Sequence, residues 1–436
     1  MKKRLRAGLR LTFRLGLLVA LLYGVAGFLT LRLVEAPRVR LDGSGGAATV
    51  RAVDPAGVEV SAWIADLGSE VRGALSVHSG RSGDSEGTFD EVGVAAARAE
   101  LDFVVLGDHP GEWLDEPDAF DPVRSQGVLL VPGQELVIAD AGRVLAVGLA
   151  EDTLVRRWEG SVAELGARIE AVGGFASVVH ARSPRGRERW QAGLDAPGIH
   201  AWESLDVSEM ARLRLADRWV GYHIVSFLSG LVVGAAQGPV LRLNREGTSA
   251  PGLLAYDSAR SRQPLVLTAG LNHHPKARIA GRLVPPYTPF FRTFTNHVRL
   301  SGALPPDPWE ARARLLDGLR RGHVFVSLGD AAEAVGFAFD ATAGPGGEAA
   351  SPESSGELRL RLPPQASGGL LVRLLKDGAE VGWWAGQPGQ VFAVETSGAG
   401  VYRVEVSRAG IPLGRWRYGL RPWILSNAVA IGGALP

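Results

Sequence analysis

The chain has 436 residues, a formal net charge of +1 and no cysteine. Its length suffices for two domains of ordinary size and a further segment, and each domain can bury a core of its own. The lack of cysteine excludes disulfides, thiolate catalysis and cysteine-based zinc sites. Acidic and basic residues are mixed along the body of the chain, so we expect no nucleic-acid partner.

The amino-terminal residues predict a membrane segment. Six basic residues stand within Met1–Arg14, and the run Leu15–Leu31 carries no charge. Such a run is near the minimum of about 17 residues with which a helix spans a bilayer, and the basic flank favours a cytoplasmic Met1. We therefore predict a single-pass anchor in residues 1–34 at the cell membrane, with the bulk of the chain outside the cytoplasm. A cleaved signal peptide ending near Gly24-Val25-Ala26 is the alternative.

The next segments predict a β lead-in and then a strand–helix–strand unit. Residues 35–71 alternate short apolar runs with glycine and proline, which favours a small β hairpin. A strand from Arg72 then ends at His78, and Phe103–Leu106 predicts a strand followed by Asp108 and His109. Between them, Thr88-Phe89-Asp90-Glu91 has the form of a capping box, which predicts a helix over Val92–Leu101.

Further strands also end in polar side chains. Predicted strands lead into Glu135, His180 and the run Asn272-His273-His274. Three segments have helical character, namely Val162–Gly174, Met210–Val233 and Trp309–Gly322. The third of them is followed by a predicted strand over Val324–Leu328. Strands that alternate with helices and end in polar residues indicate an α/β barrel over residues 72–335, with its site at the carboxyl ends of the strands.

The carboxyl-terminal part differs in composition. Residues 340–356 are rich in glycine, proline, serine and alanine, which predicts a linker. Residues 357–419 show alternating strands separated by turn residues, which predicts a small β-sandwich. Residues 420–436 form a tail that we expect to pack on the barrel.

The polar residues at the strand ends are of the types that bind metals. The candidate ligands are four histidines and two carboxylates, namely His78, Asp84, His109, Glu135, His180 and His274. Such a set favours zinc, manganese or iron over magnesium, and a bound divalent ion would activate water and polarise a phosphoryl or carbonyl oxygen. Arg182 and Arg185 follow His180, where they would suit a small anionic substrate. A solvated loop is the alternative reading of these arginines.

These motifs resemble the PHP (polymerase and histidinol phosphatase) superfamily of metal-dependent hydrolases. The resemblance implies a PHP-type distorted (βα)7 barrel with the amino-terminal helix before it and the β-sandwich after it. It also implies catalytic parts for Asp108 and His109. Leu254-Ala255-Tyr256-Asp257 and Trp423–Asn427 resemble the carbaryl-hydrolase-like branch. Phosphoesters are the family's substrates, and that branch adds carbamate or amide bonds.

Two positions depart from the family pattern. Ser76 stands where the family has the first histidine of its opening pair, and Asn272 stands where it has an aspartate. A serine hydroxyl is a poor ligand, and Asn272 offers a neutral carbonyl oxygen, so we predict a partly degraded metal site of reduced occupancy. A membrane-anchored hydrolase is the favoured function. A catalytically inactive ligand-binding protein and a tethered interaction protein are the alternatives.

Overall fold

The structure is a computed structural model. It describes residues 14–19, 21–22, 38–39, 44–116, 118–149, 158–183, 185–186, 188–193, 197–210, 251–260, 262–329, 331–341, 356–396, 398–413 and 416–432. Most of the predicted membrane segment, residues 211–233 of the predicted helix and most of the predicted linker lie outside these ranges. Among the described residues, no helix is both long and apolar enough to cross a membrane. The anchor therefore stays a prediction.

The described strands account for most of the regular structure. The first half comprises β1 (Arg38–Val39), β2 (Ser44–Gly46), β3 (Thr49–Val53), β4 (Ser69–Val77), β5 (Phe103–Leu106), β6 (Val123–Ser125), β7 (Val128–Val131), β8 (Gly133–Ile138), β9 (Gly142–Val147), β10 (Phe175–Val179), β11 (Ala201–Asp206) and β12 (Val266–His273). The second half comprises β13 (Ala277–Ile279), β14 (Arg282–Val284), β15 (Phe294–Leu300), β16 (Val324–Leu328), β17 (Ala338–Ala341), β18 (Glu357–Arg361), β19 (Leu370–Lys376), β20 (Ala379–Gly386), β21 (Val391–Glu395), β22 (Gly400–Leu413), β23 (Trp416–Ser426) and β24 (Val429–Ile431).

The helices begin where capping residues place them. The described helices are α1 (Val58–Asp66), α2 (Phe89–Arg98), α3 (Val162–Ala171), α4 (Pro251–Arg260), α5 (Tyr287–Phe291), α6 (Pro308–Arg320) and α7 (Ala331–Ala334). Thr88 and Glu91 form the predicted capping box of α2, and Ser161 and Glu164 form another for α3. Because Thr88 is itself the cap, α2 starts three residues before the predicted Val92. Asp307 caps α6, with proline in its first turn.

A mixed sheet carries the amino-terminal half of the fold. β10, β11, β12, β4, β5 and β7 pair in parallel in that order. β8 follows β7 along the chain and pairs antiparallel with β9, which pairs antiparallel with β10. β15 also pairs antiparallel with β4, and β16 with β15. The fold is thus a mixed α/β fold, and its antiparallel strands depart from a regular strand–helix repeat.

Both faces of this sheet are buried. One face, with residues such as Leu75, Val105 and Val179, packs against the apolar side of α6. The other face, with residues such as Ala74 and Val104, packs against α2, α3 and α4. Strands buried on both faces read as continuous apolar runs rather than as alternating ones, which is the pattern that the sequence shows before each candidate ligand.

The lead-in strands do not form the predicted separate hairpin. β2 pairs with β20 and β3 with β21, while β1 pairs with β23. The same segment also contains α1, which the sequence reading did not predict. The strands β1, β2 and β3 therefore complete sheets whose other strands come from the carboxyl-terminal part of the chain.

The carboxyl-terminal strands lie in two sheets that share one core. β17, β18, β21 and β3 form one sheet, and β19, β20, β22 and β24 belong to the other. Leu358 and Leu360 of the first sheet join Val372 and Val404 of the second in a buried apolar cluster. The separate β-sandwich domain over residues 357–419 stays a prediction, because β23 also pairs with β16.

Candidate metal centre

Three strands that lead to candidate ligands end in strained backbone. Ser76, Asn272 and His180 have φ values of 56°, 44° and 54°, in the left-handed region that side chains other than glycine rarely adopt. Pairing with the neighbouring strands shifts register around Ser76 and around Asn272, as at a β-bulge. Strain of this kind persists where the surrounding structure fixes it, and it is frequent at functional sites.

The centre of the candidate site is a group of three predicted ligands. One ligand atom each from His78, His109 and Glu135 lies within 4.8 Å of the others. His78 Nε2 is 3.4 Å from Glu135 Oε2, and the rings of His78 and His109 have centroids 4.9 Å apart. On the other side of the carboxylate, His180 Nε2 is 3.6 Å from Glu135 Oε1. The structure thus brings together side chains from four separate parts of the chain.

Asp84 and His274 complete the same cluster. Asp84 Oδ1 is 3.7 Å from His78 Nδ1, and Asp84 Oδ2 is 3.9 Å from His109 Nε2. The ring of His274 lies 5.5 Å from that of His78, centroid to centroid. Asp84 Oδ1 and His274 Nδ1 are buried atoms without a hydrogen-bond partner among the described residues. Buried polar atoms usually have a hydrogen-bond partner, so these two unpartnered atoms fit a role as ligands of a bound cation.

Neighbouring side chains orient the ligands. Ser82 Oγ lies 2.8 Å from His78 Nδ1 and accepts a hydrogen bond from the backbone N–H of His109. With Nδ1 engaged by Ser82, the Nε2 atom of His78 is left to face Glu135. Such partners fix the tautomer and orientation of a ligating histidine.

Asp108 does not join the cluster. Its Oδ1 accepts from the backbone N–H of Ser79 and its Oδ2 accepts from the Ser79 hydroxyl, at 2.6 and 2.7 Å. Burial raises the pKa of this carboxyl, although the charge of His78 opposes the shift. Both oxygens are therefore engaged in holding the turn after β4. The catalytic part for Asp108 stays a prediction.

The protonation of the cluster is tuned by its own members. Burial lowers the pKa of His274 to about 4, which keeps its imidazole neutral. Burial also lowers the pKa of His109. For His78 burial acts in the same direction, but the hydrogen bond and charge of Glu135 outweigh it, so its pKa is raised. The pKa of Glu135 is lowered well below its ordinary value because the surrounding histidines outweigh its burial.

We expect metal affinity to rise with pH. Asp206 outweighs burial and raises the pKa of His180 to about 10, so His180 and His78 hold protons above pH 6.5 when no metal is bound. A metal must displace those protons, and apparent affinity should rise about tenfold per pH unit for each proton displaced. Titration of the protein with manganese between about pH 6 and pH 8, together with proton release into a weak buffer, measures this. A flat affinity over that range would rule out binding through these histidines.

Glu203 is a buried residue that contacts both Ser76 and Asn272. Its Oε2 accepts from the Ser76 hydroxyl at 3.0 Å, and its Oε1 accepts from Asn272 Nδ2 at 2.9 Å. The two positions that depart from the family pattern are therefore bonded to one carboxyl group. A Cβ atom at position 270 would lie 1.6 Å from Glu203 Oε2, so only glycine at Gly270 admits this carboxyl. Burial, followed by the charge of Asp206, raises the pKa of Glu203 well above its ordinary value.

Asn272 keeps one atom free in this arrangement. Its amide nitrogen is committed to Glu203, while its Oδ1 is buried and has no hydrogen-bond partner in the described part of the chain. A neutral carbonyl oxygen can be a metal ligand, although a weaker one than a carboxylate. Ser76, in contrast, gives its hydroxyl to Glu203 and has no imidazole with which to reach the cluster.

Arg143 is a second site residue that the sequence reading missed. Its Nη1 donates to Glu135 Oε1, and its Nη2 is 3.9 Å from Glu188 Oε1. Arg143 lies on β9 directly opposite Val179, the residue before His180. An arginine in an antiparallel partner strand has no local sequence signal that links it to a distant glutamate, so only the register of β8, β9 and β10 reveals this contact.

The predicted substrate-binding arginines lie at the rim. Arg182 and Arg185 are exposed, and Arg185 pairs with Glu188 at 3.0 Å. Substrate binding by these arginines stays a prediction. Pro184 and Arg187 lie outside the described residues.

The remaining histidines in the described ranges have structural surroundings. His200 accepts a hydrogen bond from the backbone N–H of Ala176 and stacks on Phe175. His200 therefore does not enter the site, whereas Glu203 does. The ring of His273 stacks on Phe290 at 3.7 Å. His297 is buried between Glu70 and Ser327, at 2.7 and 2.8 Å.

A second acidic group lies behind His180. His180, Asp206 and Glu209 offer ligand atoms within 4.8 Å of one another. Asp206 Oδ2 is 2.7 Å from His180 Nδ1, while Asp206 Oδ1 accepts from the backbone N–H groups of Ser208 and Glu209. This geometry is that of a carboxylate that orients a ligating histidine through its other nitrogen.

Comparison with known proteins adds distant likenesses only. No protein-family model matches the chain, and no curated protein matches it. Endonuclease Q in complex with a 27-mer duplex that has an abasic lesion is 17% identical, with a TM-score of 0.25, over 32% of this chain and 43% of that chain. PfuEndoQ from Pyrococcus furiosus, a lesion-specific endonuclease, is 14% identical, with a TM-score of 0.31, over 57% of this chain and 56% of that chain. A proposed metal-dependent phosphoesterase from Bifidobacterium adolescentis is 14% identical, with a TM-score of 0.30, over 47% of this chain and 88% of that chain.

This chain spans about half the length of the endonuclease chains. These likenesses contradict the exclusion of nucleic acid, because the similar structures include an endonuclease bound to duplex DNA. That prediction is wrong and is withdrawn. The physical reason is that a net charge of +1 averages the whole chain, whereas a nucleic-acid substrate is bound by a local surface.

Proposed function

We propose that this protein is a metal-dependent hydrolase with a PHP-type barrel and a metal site reduced from that family's full set. The observation that carries the proposal is the convergence of His78, His109 and Glu135, three buried or half-buried donors from separate strand ends, within 4.8 Å. The orphaned atoms of Asp84 and His274 beside them support it. A membrane anchor at the amino terminus stays part of the proposal.

In this proposal some residues of the site hold the metal ion and others orient them. His78, His109, Glu135 and Asp84 would hold a divalent ion of zinc, manganese or iron, with His180, His274 and Asn272 Oδ1 at its edges. When bound, such an ion lowers the pKa of a water molecule and polarises a phosphoryl or carbonyl oxygen. Ser82 orients His78, Asp206 orients His180 and Glu203 orients Asn272.

The substrate class follows from the charges around the site. Arg143 reaches the ligands, and Arg182 and Arg185 stand on the loop after His180. Guanidinium groups bind phosphate and carboxylate oxygens through paired N–H donors. A phosphoester is therefore the substrate that we propose.

The test compares metal content and turnover of the full chain. We expect the wild type to hold about one tight ion per chain, because Ser76 and Asn272 are weak ligands, and to hydrolyse a phosphodiester such as bis(p-nitrophenyl) phosphate slowly or not at all. The double variant Ser76→His, Asn272→Asp should bind that one ion more tightly, which raises the metal content that survives dialysis, and it should raise the rate. Elemental analysis and the release of p-nitrophenol measure the two quantities.

A matched control separates added ligands from lost hydrogen bonds. Ser76→Ala with Asn272→Ala removes the same bonds to Glu203 without adding a ligand, so it should not raise metal content. Two tight ions and rapid turnover in the wild type would show that Ser76 and Asn272 are tolerated. One tight ion without turnover in any variant would favour the alternative, a ligand-binding protein that is not an enzyme.

A further inference from the structure

The two oxygens of Glu135 face different partners. Oε2 faces His78 Nε2 at 3.4 Å, on the side where His109 and Asp84 gather. Oε1 faces His180 Nε2 at 3.6 Å. A carboxylate with histidines on both sides, here His78 and His109 on one and His180 on the other, can bridge two cations, one on each oxygen. The side of Oε1, however, already has a cationic partner.

That partner is Arg143. Its guanidinium donates to Glu135 Oε1, the same oxygen that faces His180. The antiparallel register of β9 with β10 places Arg143 opposite Val179, beside His180, so the backbone delivers the guanidinium to this point. Glu188, buried nearby, lies 3.9 Å from the Nη2 atom and attracts it from the other end. The charge is thus held by two carboxylates and by strand register.

We propose that the Arg143 guanidinium takes the place of a second metal ion on the Oε1 side of Glu135, so that the site pairs one metal with one arginine. The proposal rests on the proposed metal-dependent hydrolase. A fixed positive charge beside Oε1 repels a second cation and occupies the oxygen that such a cation would need. It also supplies what a second ion would supply to an anionic substrate, namely a positive charge that binds and stabilises phosphoryl oxygens.

The exposure of Arg143 suits contact with a substrate. Its side chain is 20% exposed, whereas that of Glu135 is 1% exposed. A guanidinium has five N–H donors in a rigid fork, and the contacts with Glu135 and Glu188 engage only its two terminal nitrogens. Donors therefore remain for a phosphate oxygen while the contact with Glu135 persists.

The first experiment counts ions in the full chain after dialysis against manganese. We expect about one ion per chain in the wild type and about two in Arg143→Met, which removes the charge but keeps an unbranched apolar stem. Arg143→Lys should stay at about one, because it keeps a cation beside Oε1. Arg321→Ala is the matched control, since Arg321 is an exposed arginine at the far end of α6 and its loss should leave the count unchanged.

The second experiment measures inorganic phosphate binding by calorimetry to protein loaded with only one manganese ion per chain, so that no second ion replaces the charge of the arginine. Arg143→Met should weaken phosphate binding by about 10- to 100-fold, because charge-assisted hydrogen bonds to an anion are lost. Arg143→Lys should lose less, since it keeps the charge without the forked geometry. Arg321→Ala should bind phosphate as the wild type does.

The outcomes separate this proposal from the proposed function. A wild type that holds two ions, or an Arg143→Met variant that folds and still holds one, overturns the arginine proposal whatever the turnover. One ion in the wild type and two in Arg143→Met support it even if no phosphoester is hydrolysed. If Arg143→Met fails to fold by circular dichroism, Arg143→Ala takes its place, and the wild-type count alone can still overturn the proposal.

Discussion

Replacing Glu135 by glutamine is expected to lower the affinity for divalent metal by at least about 100-fold. Changes to residues that only orient a ligand typically cost about 10- to 100-fold in metal affinity, and Glu135 would be a ligand itself. The change also leaves His78 and His180 without the carboxylate that lies 3.4 and 3.6 Å from their Nε2 atoms. Competition with a metal-binding dye measures the dissociation constant directly.

The same chemical change at an exposed position is the control. Glu59→Gln, on the surface of α1, should leave metal affinity unchanged because Glu59 is largely exposed and lies outside the cluster. If Glu135→Gln bound metal within about threefold of the wild type, a loss far smaller than a ligand's, Glu135 would not be a ligand. The proposed metal centre would then have to be abandoned.

Replacing Asp257 by alanine is expected to lower the free energy of unfolding by about 3–5 kcal/mol. Arg403 is 2% exposed, and its Nε and Nη2 atoms donate to the two oxygens of Asp257 at 2.6 and 2.7 Å. Despite burial, the bonds to Asp257 and Glu405 raise the pKa of Arg403 above its usual range. Removing Asp257 leaves the buried charge of Arg403 with only Glu405 as an anionic partner. Urea unfolding followed by circular dichroism measures the loss.

Two further variants show whether burial is the cause. Glu380→Ala breaks the exposed pair of Glu380 with Arg373 and should cost no more than about 1 kcal/mol. The double variant Asp257→Leu, Arg403→Met removes both charges and should recover most of the stability that Asp257→Ala loses, since apolar replacement of a whole buried pair is often neutral. Equal losses for Asp257→Ala and Glu380→Ala would contradict this account.

Local signals in the sequence predicted several of the elements, and the structure brings together candidate ligands that follow them. The capping box at Thr88 predicts the start of α2, and apolar runs that end in His78, His109 or His180 predict strands buried on both faces. These features depend on neighbours within a few residues. The carboxyl ends of parallel strands lie at one edge of the sheet. Candidate ligands that are far apart in sequence therefore meet in one cluster.

The rest depended on contacts that no local pattern encodes. Glu203 meets Ser76 across 127 residues and Asn272 across 69 residues. Arg143 meets Glu135 through the register of a hairpin. The lead-in strands are predicted as strands, but their partners lie in the carboxyl-terminal sheets, which made the predicted hairpin wrong. Pairing at such distances is fixed by the packed fold rather than by propensity.

The residues that resemble the carbaryl-hydrolase-like branch also have a structural explanation. The Tyr256 hydroxyl donates to Asn427 Oδ1, and Asp257 binds Arg403. Asn427 in turn accepts from the backbone N–H of Leu267 and donates to the carbonyl oxygens of Leu267 and Val324. These residues tie α4, β12 and β16 together, so their presence is explained by folding and carries no information about a carbamate substrate.

The pairing of β3 with β21 has a kinetic consequence. Arg51, on β3, contacts Glu357, on β18 in the same sheet, across 306 residues of sequence. Loops of this length close slowly, and proteins dominated by such distant contacts fold slowly. While the chain is being synthesised, β3 must therefore wait as an unpaired edge until β21 is made. We expect a nascent chain that stops before Val391 to expose that edge and to be prone to aggregation.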